Sequence, residues 1–549
     1  MVSWIVLPFM KRGRLDVVLL GIFLLMNCMV FVNSYLHNPE SVFDGYGHMA
    51  YVKALAVEKR LPTREESYES FSPPLPYLLP AFARGVFHLT TTQVAKFGQY
   101  VNVAVSLLLT YFLLRLVLLM NPPELDLRRT TLLLLGMLPV YYKTLAMGAR
   151  GEPYVALFTV ISLYFLMSFI HSKSTNLWKF ELLGLLLGLA ILSRQWGVLI
   201  FPSIFGALML MVFLNKERTN LFHVVILTAL IATLVGGWFY YGQRSDKTFN
   251  EIFNSAWQLD YYSYVRDHPD LLDAFERDRS NDVALDVRGW GQNHYEKLGR
   301  YENRKIKEIG FSLHNQGRDF YLGTGNGKLF TNPTRGAFPN QFFPIYYTEI
   351  WGDYWSYFLV IPNDGVGKKR IGSYLGRVNL ISIFPTMLMI VGLLFGLLQL
   401  RYLFQINDTQ RNSLYIVVNS FVVVVSLVGY MWFVIRYPSL GKGDTIKATY
   451  LLHMFPSLAI LGACLLGQIR KTKPYLSRLS LALLLAISIH NFPAQLLGQG
   501  DRQRRFPRSH RTADIKRIRR RSRHVGRRAE DPFQVHSSRN RFPEAPTTE

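Results

Sequence analysis

Cysteine is nearly absent from this chain: two in 549 residues, Cys28 and Cys464, each inside an apolar run. A disulfide framework and a cysteine zinc cluster are thereby excluded, and both residues are expected to behave as small hydrophobes. Acidic residues are scarce, 37 against 61 Lys and Arg, which leaves a formal net charge of +24. A phosphate loop is missing as well. The stretch that invites that reading, Gly323 to Lys328, is followed by Leu329 where Ser or Thr is required, and no apolar strand precedes it. A plain turn is expected there. No internal repeat is visible, which speaks against the matched, Gly/Pro-broken halves of an inverted-repeat transporter.

What the chain has instead is apolar surface. Half of its residues are hydrophobic, and beside so large a net charge they must be segregated. Runs with few charges extend over Leu15 to Val32, Asn102 to Met120, Leu132 to Met147, Val155 to Ile170, Leu182 to Leu192, Val198 to Leu214, Val224 to Tyr241, Leu380 to Leu400, Tyr415 to Ile435 and Leu451 to Leu466. Each approaches or reaches the roughly 17 to 25 residues that cross a bilayer. The fold class expected is therefore an all-α polytopic membrane protein with about ten to eleven transmembrane helices and a mixed, soluble exoplasmic insertion. Leu479 to Ile489 is the doubtful run, read as non-spanning or re-entrant, because a further full crossing would carry the basic tail outside. Lys11, Arg12 and Arg14 precede the first run, but no small-x-small cleavage site follows at Asn33 to His37, so a retained helix is expected rather than a signal peptide.

Charge in the short loops sets the orientation. Arg128 and Arg129, Lys173 and Lys179, Lys216 and Arg218, Arg401 and Arg411, and Arg470, Lys471 and Lys473 all fall on one side if the N-terminus is cytoplasmic, as the positive-inside rule requires. The chain then divides into an N-terminal transmembrane module over 1–241 with a first exoplasmic loop at 33–99, an exoplasmic loop subdomain over 242–378, C-terminal transmembrane helices over 379–490, and a basic tail over 491–549. That tail is crowded with Arg and nearly free of apolar residues; a solvated segment beside the cytoplasmic leaflet is expected, with no nucleic acid as partner. The loop over 242–378 is too long to be a bare connection and is expected to fold.

In this topology the polar residues least like linker material meet on the exoplasmic face. Asp44 and His48 stand four apart just after the first span, a spacing that places a carboxylate and an imidazole on one side of a helix; an Asp capping a short helix accounts for the same pattern. Arg150 and Glu152 occupy a short turn between spans, and Arg194 separates two short apolar runs. A charge at bilayer depth costs about 2.5 to 3.5 kcal/mol, so it normally faces a partner or a cavity, or reaches headgroups. Lys442, Asp444 and Lys447 enter the span that begins near Tyr450, and clustered cations there suit a lipid-borne phosphate.

The stretch Asp44 to Pro62, followed by Phe71-Ser72-Pro73-Pro74-Leu75-Pro76-Tyr77-Leu78-Leu79, resembles the first exoplasmic loop of GT-C membrane glycosyltransferases, in the branch of protein O-mannosyltransferases and the lipid A aminoarabinose transferase. Arg150-Gly151-Glu152-Pro153 is similar to that branch's Arg-x-acidic-Pro turn. Ser193-Arg194 stands where a Thr-Lys pair is often found, and Lys447 to Pro456 resembles its basic-x-x-Tyr-Leu-Leu-x-x-x-Pro helix start. One acidic residue, Asp44, stands where the branch carries a pair, so a second carboxylate role is unassigned.

The resemblance implies a GT-C-like fold in the cell membrane, or the endoplasmic reticulum membrane in a eukaryote. It also implies transfer of a sugar, with inversion, from a polyprenyl-phosphate donor to a lipid, glycan or protein acceptor. Asp44 would be the catalytic base, with His48, Arg150, Glu152, Arg194, Lys447 and Tyr450 binding substrate; a divalent metal ion is compatible with the site and no other cofactor is called for. A polytopic transporter or lipid-linked sugar flippase, and a non-catalytic membrane scaffold, are the alternatives.

Overall fold

The computed structural model of the protein describes residues 6–11, 14–39, 45–63, 66–67, 69–120, 127–172, 178–214, 218–244, 259–281, 287–307, 311–333, 338, 340–352, 365–403, 408–437 and 445–496. Helices dominate these residues. The paired strands are a short hairpin of Met10–Lys11 (β1) and Arg14–Leu15 (β2).

Helix α1 (Val17–Leu36) starts at Asp16, whose carboxylate accepts the Leu19 N–H at 3.0 Å, an N-cap that satisfies one of the orphan donors of the first turn. Arg129 donates to both oxygens of the same carboxylate, at 2.9 and 2.6 Å. In the first loop, α2 (Gly45–Lys53) continues into a π turn over Ala54–Glu58, and α3 (Leu75–Phe87) ends at His88, which adopts the left-handed conformation. Thr90 and Gln93 then close a reciprocal capping box at the start of α4 (Thr91–Leu119).

The next apolar run departs from expectation. Leu132 to Met147 is not one helix but parts of two, α5 (Leu127–Gly136) and α6 (Pro139–Leu145). Pro139 is the cause: it has no N–H to donate, and it holds Leu138 extended at φ −85° and ψ 109°. The freed Gly136 carbonyl accepts from the Tyr142 hydroxyl at 2.7 Å and from Gln495 Nε2 at 3.0 Å. A broken helix at membrane depth is tolerated only when buried in protein, and every residue of α6 is buried.

Helices α7 (Glu152–Ser172), α8 (Trp178–Ser193), α9 (Ile200–Leu214) and α10 (Arg218–Arg244) follow. Beyond them lie α11 (Tyr261–Arg266), α12 (Pro269–Asn281), α13 (Val287–His294) and α14 (Phe342–Trp351). The C-terminal half adds α15 (Gly365–Ile381), α16 (Ile383–Leu398), α17 (Asp408–Arg436), α18 (Phe455–Thr472) and α19 (Pro474–Asn491).

Among the described residues, 7 helices are long and apolar enough to cross a membrane, and shorter apolar helices occupy Phe180–Ser193, Gln195–Leu210 and Val225–Tyr241. The protein is a multi-pass membrane protein on that ground. Against the reading of Leu479 to Ile489 as non-spanning, the helix there runs from Pro474 to Gln495, 22 residues, and is long and apolar enough to cross a membrane. It extends beyond the apolar run through Ser477, Arg478 and His490 without loss of backbone bonding.

The segment between α10 and α15 has two kinds of packing. Tyr264, Val265, Leu271 and Phe275 form a small core of their own with Trp290 against it. Phe320, Leu329, Phe338, Ile345 and Trp351 instead join the main core of the helical bundle. Glu349 on α14 meets Lys143 on α6 at 2.6 Å, an ion pair with both side chains almost wholly buried.

Candidate functional site

Three chain segments far apart in sequence converge at one end of the bundle: the first loop, the turn before α7, and the break after α8. The break is made by Arg194, whose extended backbone (φ −164°, ψ 155°) separates Ser193 from a 3-10 turn over Gln195–Leu199. The turn before α7 is pressed against it. A Cβ on Gly151 would stand 2.0 Å from the Ser193 carbonyl oxygen and 2.8 Å from the Arg194 Cβ, so the Arg150-Gly151-Glu152 turn needs glycine for contact rather than for flexibility.

Arg194 is the hub. Its Nη1 donates to Glu69 Oε2 at 2.9 Å and to the Ser72 hydroxyl, and its Nε lies 3.3 Å from Glu152 Oε1. One guanidinium thus faces two carboxylates, and all three side chains are buried. Glu69 sits on a tight turn held at three points. Ser67 donates its hydroxyl to the Gly47 carbonyl of α2 at 2.7 Å, the Glu69 N–H bonds the Ser67 oxygen at 3.1 Å, and Gln195 Nε2 donates to the Phe71 carbonyl at 2.9 Å. The Ser72 hydroxyl donates to Glu69 Oε2. Burial by itself raises the Glu69 pKa, but Arg194, then His48, and the bonds from Ser72 and Arg194 outweigh it and hold this carboxyl well below the usual range.

His48 projects from α2 into the same cluster, with Nε2 3.9 Å from Glu69 Oε1 and Nδ1 2.8 Å from the Tyr77 hydroxyl. Tyr77 also stacks on Tyr51, ring centroids 4.1 Å apart. Burial and then the Glu69 charge push the Tyr77 phenol up. The opposite flank is aromatic: Trp196 stacks on Tyr450 at 4.9 Å, and Lys447 Nζ lies 5.6 Å from the Tyr450 ring centroid.

His48, Glu152 and Arg194 are thus brought together, and Arg150 joins them through the shared turn. Lys447 and Tyr450 lie on the Trp196 side. Asp44, Lys442 and Asp444 lie outside the described residues. The second carboxylate role, left unassigned beside Asp44, has a candidate in Glu69, which is buried beside His48. Its sequence signal was slight: an acid two residues before the Phe71-Ser72-Pro73-Pro74 stretch. Arg194, expected to face a partner or a cavity, is an ion-pair partner; Arg150 beside it is a buried cation with two nitrogens that make no hydrogen bond. Its Nε and Nη2, together with both Glu152 carboxylate oxygens, are buried without a hydrogen-bond partner, which is costly in a finished core and calls for an explanation.

No protein-family model matches the chain, and no curated protein matches it. Among solved structures it is similar to the oligosaccharyltransferase of Archaeoglobus fulgidus, once tethered to an acceptor peptide containing the NVT sequon and once in the apo form. Identity is 12% in each case, with TM-scores of 0.44 and 0.43 over 88% of this chain and 55% of the other. The chain therefore spans about half the length of that protein. At this identity and TM-score the likeness assigns no activity.

Proposed function

We propose that the protein is a membrane glycosyltransferase that moves a sugar from a polyprenyl-phosphate donor to an acceptor presented at the end of the bundle where the first loop lies. The observation that carries this reading is the buried cluster of Glu69, Arg194, Glu152 and His48, with Nε and Nη2 of the neighbouring Arg150 left without hydrogen-bond partners. The resemblance of the Asp44–Leu79, Arg150–Pro153 and Lys447–Pro456 segments to GT-C enzymes agrees with it.

In this reading the acceptor's nucleophilic atom attacks the anomeric carbon from the face opposite the phosphate. The new glycosidic bond forms as the bond from carbon to phosphate oxygen breaks, with inversion. Asp44 takes the acceptor's proton, and polyprenyl phosphate leaves with the electron pair. Arg150 holds the phosphate as its charge grows, a task for which preorganised cations in a dry site are effective. Lys447 serves the same anion from the Tyr450 side. Arg194 is already matched to carboxylates, so its role is to hold Glu69 and Glu152 in place.

A divalent ion belongs to such chemistry in many enzymes, where it steadies the leaving phosphate. Glu69, Glu152 and His48 are donors of the right kind. Among the described residues, however, no three acidic, His or Cys groups gather closely enough to hold one, and no step is routed through it.

The test uses the purified full-length protein in detergent with a panel of polyprenyl-phosphate sugars and lipid, glycan and peptide acceptors. A new glycosidic product is expected together with free polyprenyl phosphate, and Asp44→Asn is expected to lower its rate by about 100-fold or more. No product from any donor, combined with movement of lipid-linked sugar across liposomes, would replace the enzyme by a transporter.

A further inference from the structure

The buried face of α4 nearest the site is polar where a membrane helix is ordinarily apolar. Lys96, Gln99 and Asn102 are spaced three apart and so share one side of the helix. Lys96 Nζ donates to the carbonyls of Ser34 at 2.7 Å, Tyr35 at 3.1 Å and His37 at 2.8 Å. Gln99 Nε2 donates to His37 at 3.4 Å and to Ala146 at 2.7 Å. Asn102 Nδ2 donates to Leu145 at 3.0 Å and Gly148 at 2.7 Å.

Every one of these acceptors lies at or just beyond the C-terminus of a helix, α1 for the first three and α6 for the others. Such carbonyls have no partner within their own helix, and a lysine there also complements the helix dipole. Backbone contact reinforces the side chains. Gly148 has a positive φ of 85°, and a Cβ on it would stand 3.4 Å from the Ala95 carbonyl oxygen; one on Gly98 would stand 3.0 Å from the Ala149 nitrogen. The same two turns of α4 therefore hold the exit of α1, which leads into the loop bearing His48 and Glu69, and the approach to Arg150 and Glu152. Gln99 touches both.

We propose that Lys96, Gln99 and Asn102 are positioning residues, a clamp on α4 that sets the first loop against the Arg150–Glu152 turn and so assembles the cluster. Saturating helix ends alone does not require one side chain to bridge two of them. The inference rests on reading that cluster as the active site, but its placement can be measured without activity.

Two measurements on the full chain test it. Gln99→Met keeps the length and removes the donor; we expect kcat to fall by about 10- to 100-fold, as a displacement of about 1 Å does, with little change in donor KM. Lys96→Met is expected to behave alike, and Lys96→Arg to restore most of the rate. For the second readout, nitroxides replace exposed Tyr46 on α2 and Val198 beside the Arg194 turn, introduced as Tyr46→Cys and Val198→Cys with Cys28→Ser and Cys464→Ala. A narrow distance distribution in the parent should broaden or shift in Gln99→Met.

An unchanged distribution in the folded fraction, with any loss of transfer matched by loss of folded protein, would reduce the clamp to ordinary helix-end packing. Should the parent transfer no sugar at all, the distances still decide the clamp, and only the glycosyltransferase reading falls.

Discussion

Two buried ion-pair systems among the described residues are built differently. Between α6 and α14, Lys143 meets Glu349 at 2.6 Å, and neither has a buried side-chain atom left without a partner. At the loop end, Arg194 serves Glu69 and Glu152 together, while atoms of Arg150 and Glu152 have no hydrogen-bond partner. The first arrangement is what a protein needs to join two helices at depth. The second is an incomplete core by the same standard, and incompleteness of that kind is what a site awaiting another molecule looks like.

The largest effect should come from breaking the matched pair. Lys143→Met breaks a buried ion pair by removing its cation, which costs about 3 to 5 kcal/mol, and is expected to lower the melting temperature in detergent by many degrees. Lys143→Met combined with Glu349→Met should recover most of it, with transfer per folded molecule little changed. A neutral single variant would remove the contrast between the two systems.

Arg150→Met should do the reverse. Its guanidinium makes no hydrogen bond through Nε or Nη2, so stability should change by less than about 1 kcal/mol, whereas transfer falls by about 100-fold if it holds the leaving phosphate. A large loss of stability with normal turnover would make Arg150 structural.

A third experiment uses pH. Glu69 has a lowered pKa in the folded chain, so its contribution is fully present above the ordinary carboxylate value of about 4.3 and is lost as pH falls toward its folded value. Melting temperature should therefore owe nothing to Glu69 titration between pH 5 and pH 8 (roughly the range above that value) and decline below it. Glu69→Gln should flatten that decline; an identical acid limb in the variant would show that Glu69 is not held by Arg194.

The smallest expected effect is that of Tyr77→Phe. Loss of its bond to His48 Nδ1 should cost about 0.5 to 1.5 kcal/mol and leave the Tyr51 stack in place. A larger loss would mean that the tyrosine–histidine pair, rather than Arg194, organises the first loop.

How far the sequence discloses all this depends on whether the signal is local. Charges inside apolar surroundings point to Arg150, Glu152 and Arg194 because the bilayer penalises them wherever they stand. Glu69 was invisible to that logic: it lies in a polar loop, and its partner Arg194 is 125 residues away. Pro139 did carry a readable warning that Leu132 to Met147 breaks, overridden by the length of the apolar run. The run Leu479 to Ile489 reads as non-spanning for a different reason, the charge rule applied to the basic tail, whereas its helix extends from Pro474 to Gln495. The three side chains of the α4 clamp offer no motif at all, because each bonds to backbone carbonyls, which have no residue identity.

The break between α5 and α6 bears on how the protein is made. Its Gly136 carbonyl accepts from Gln495 across 359 residues of chain, and the Gln495 carbonyl in turn accepts from Asn33 on α1. A ribosome adding about 5 to 20 residues per second needs roughly 20 to 70 s to cover that interval. During biogenesis the Gly136 carbonyl, already held by the Tyr142 hydroxyl, gains its second donor only once Gln495 has been made. The link that ties α1 and the α5–α6 break to Gln495 is therefore a late one, formed only after α19 follows the early helices.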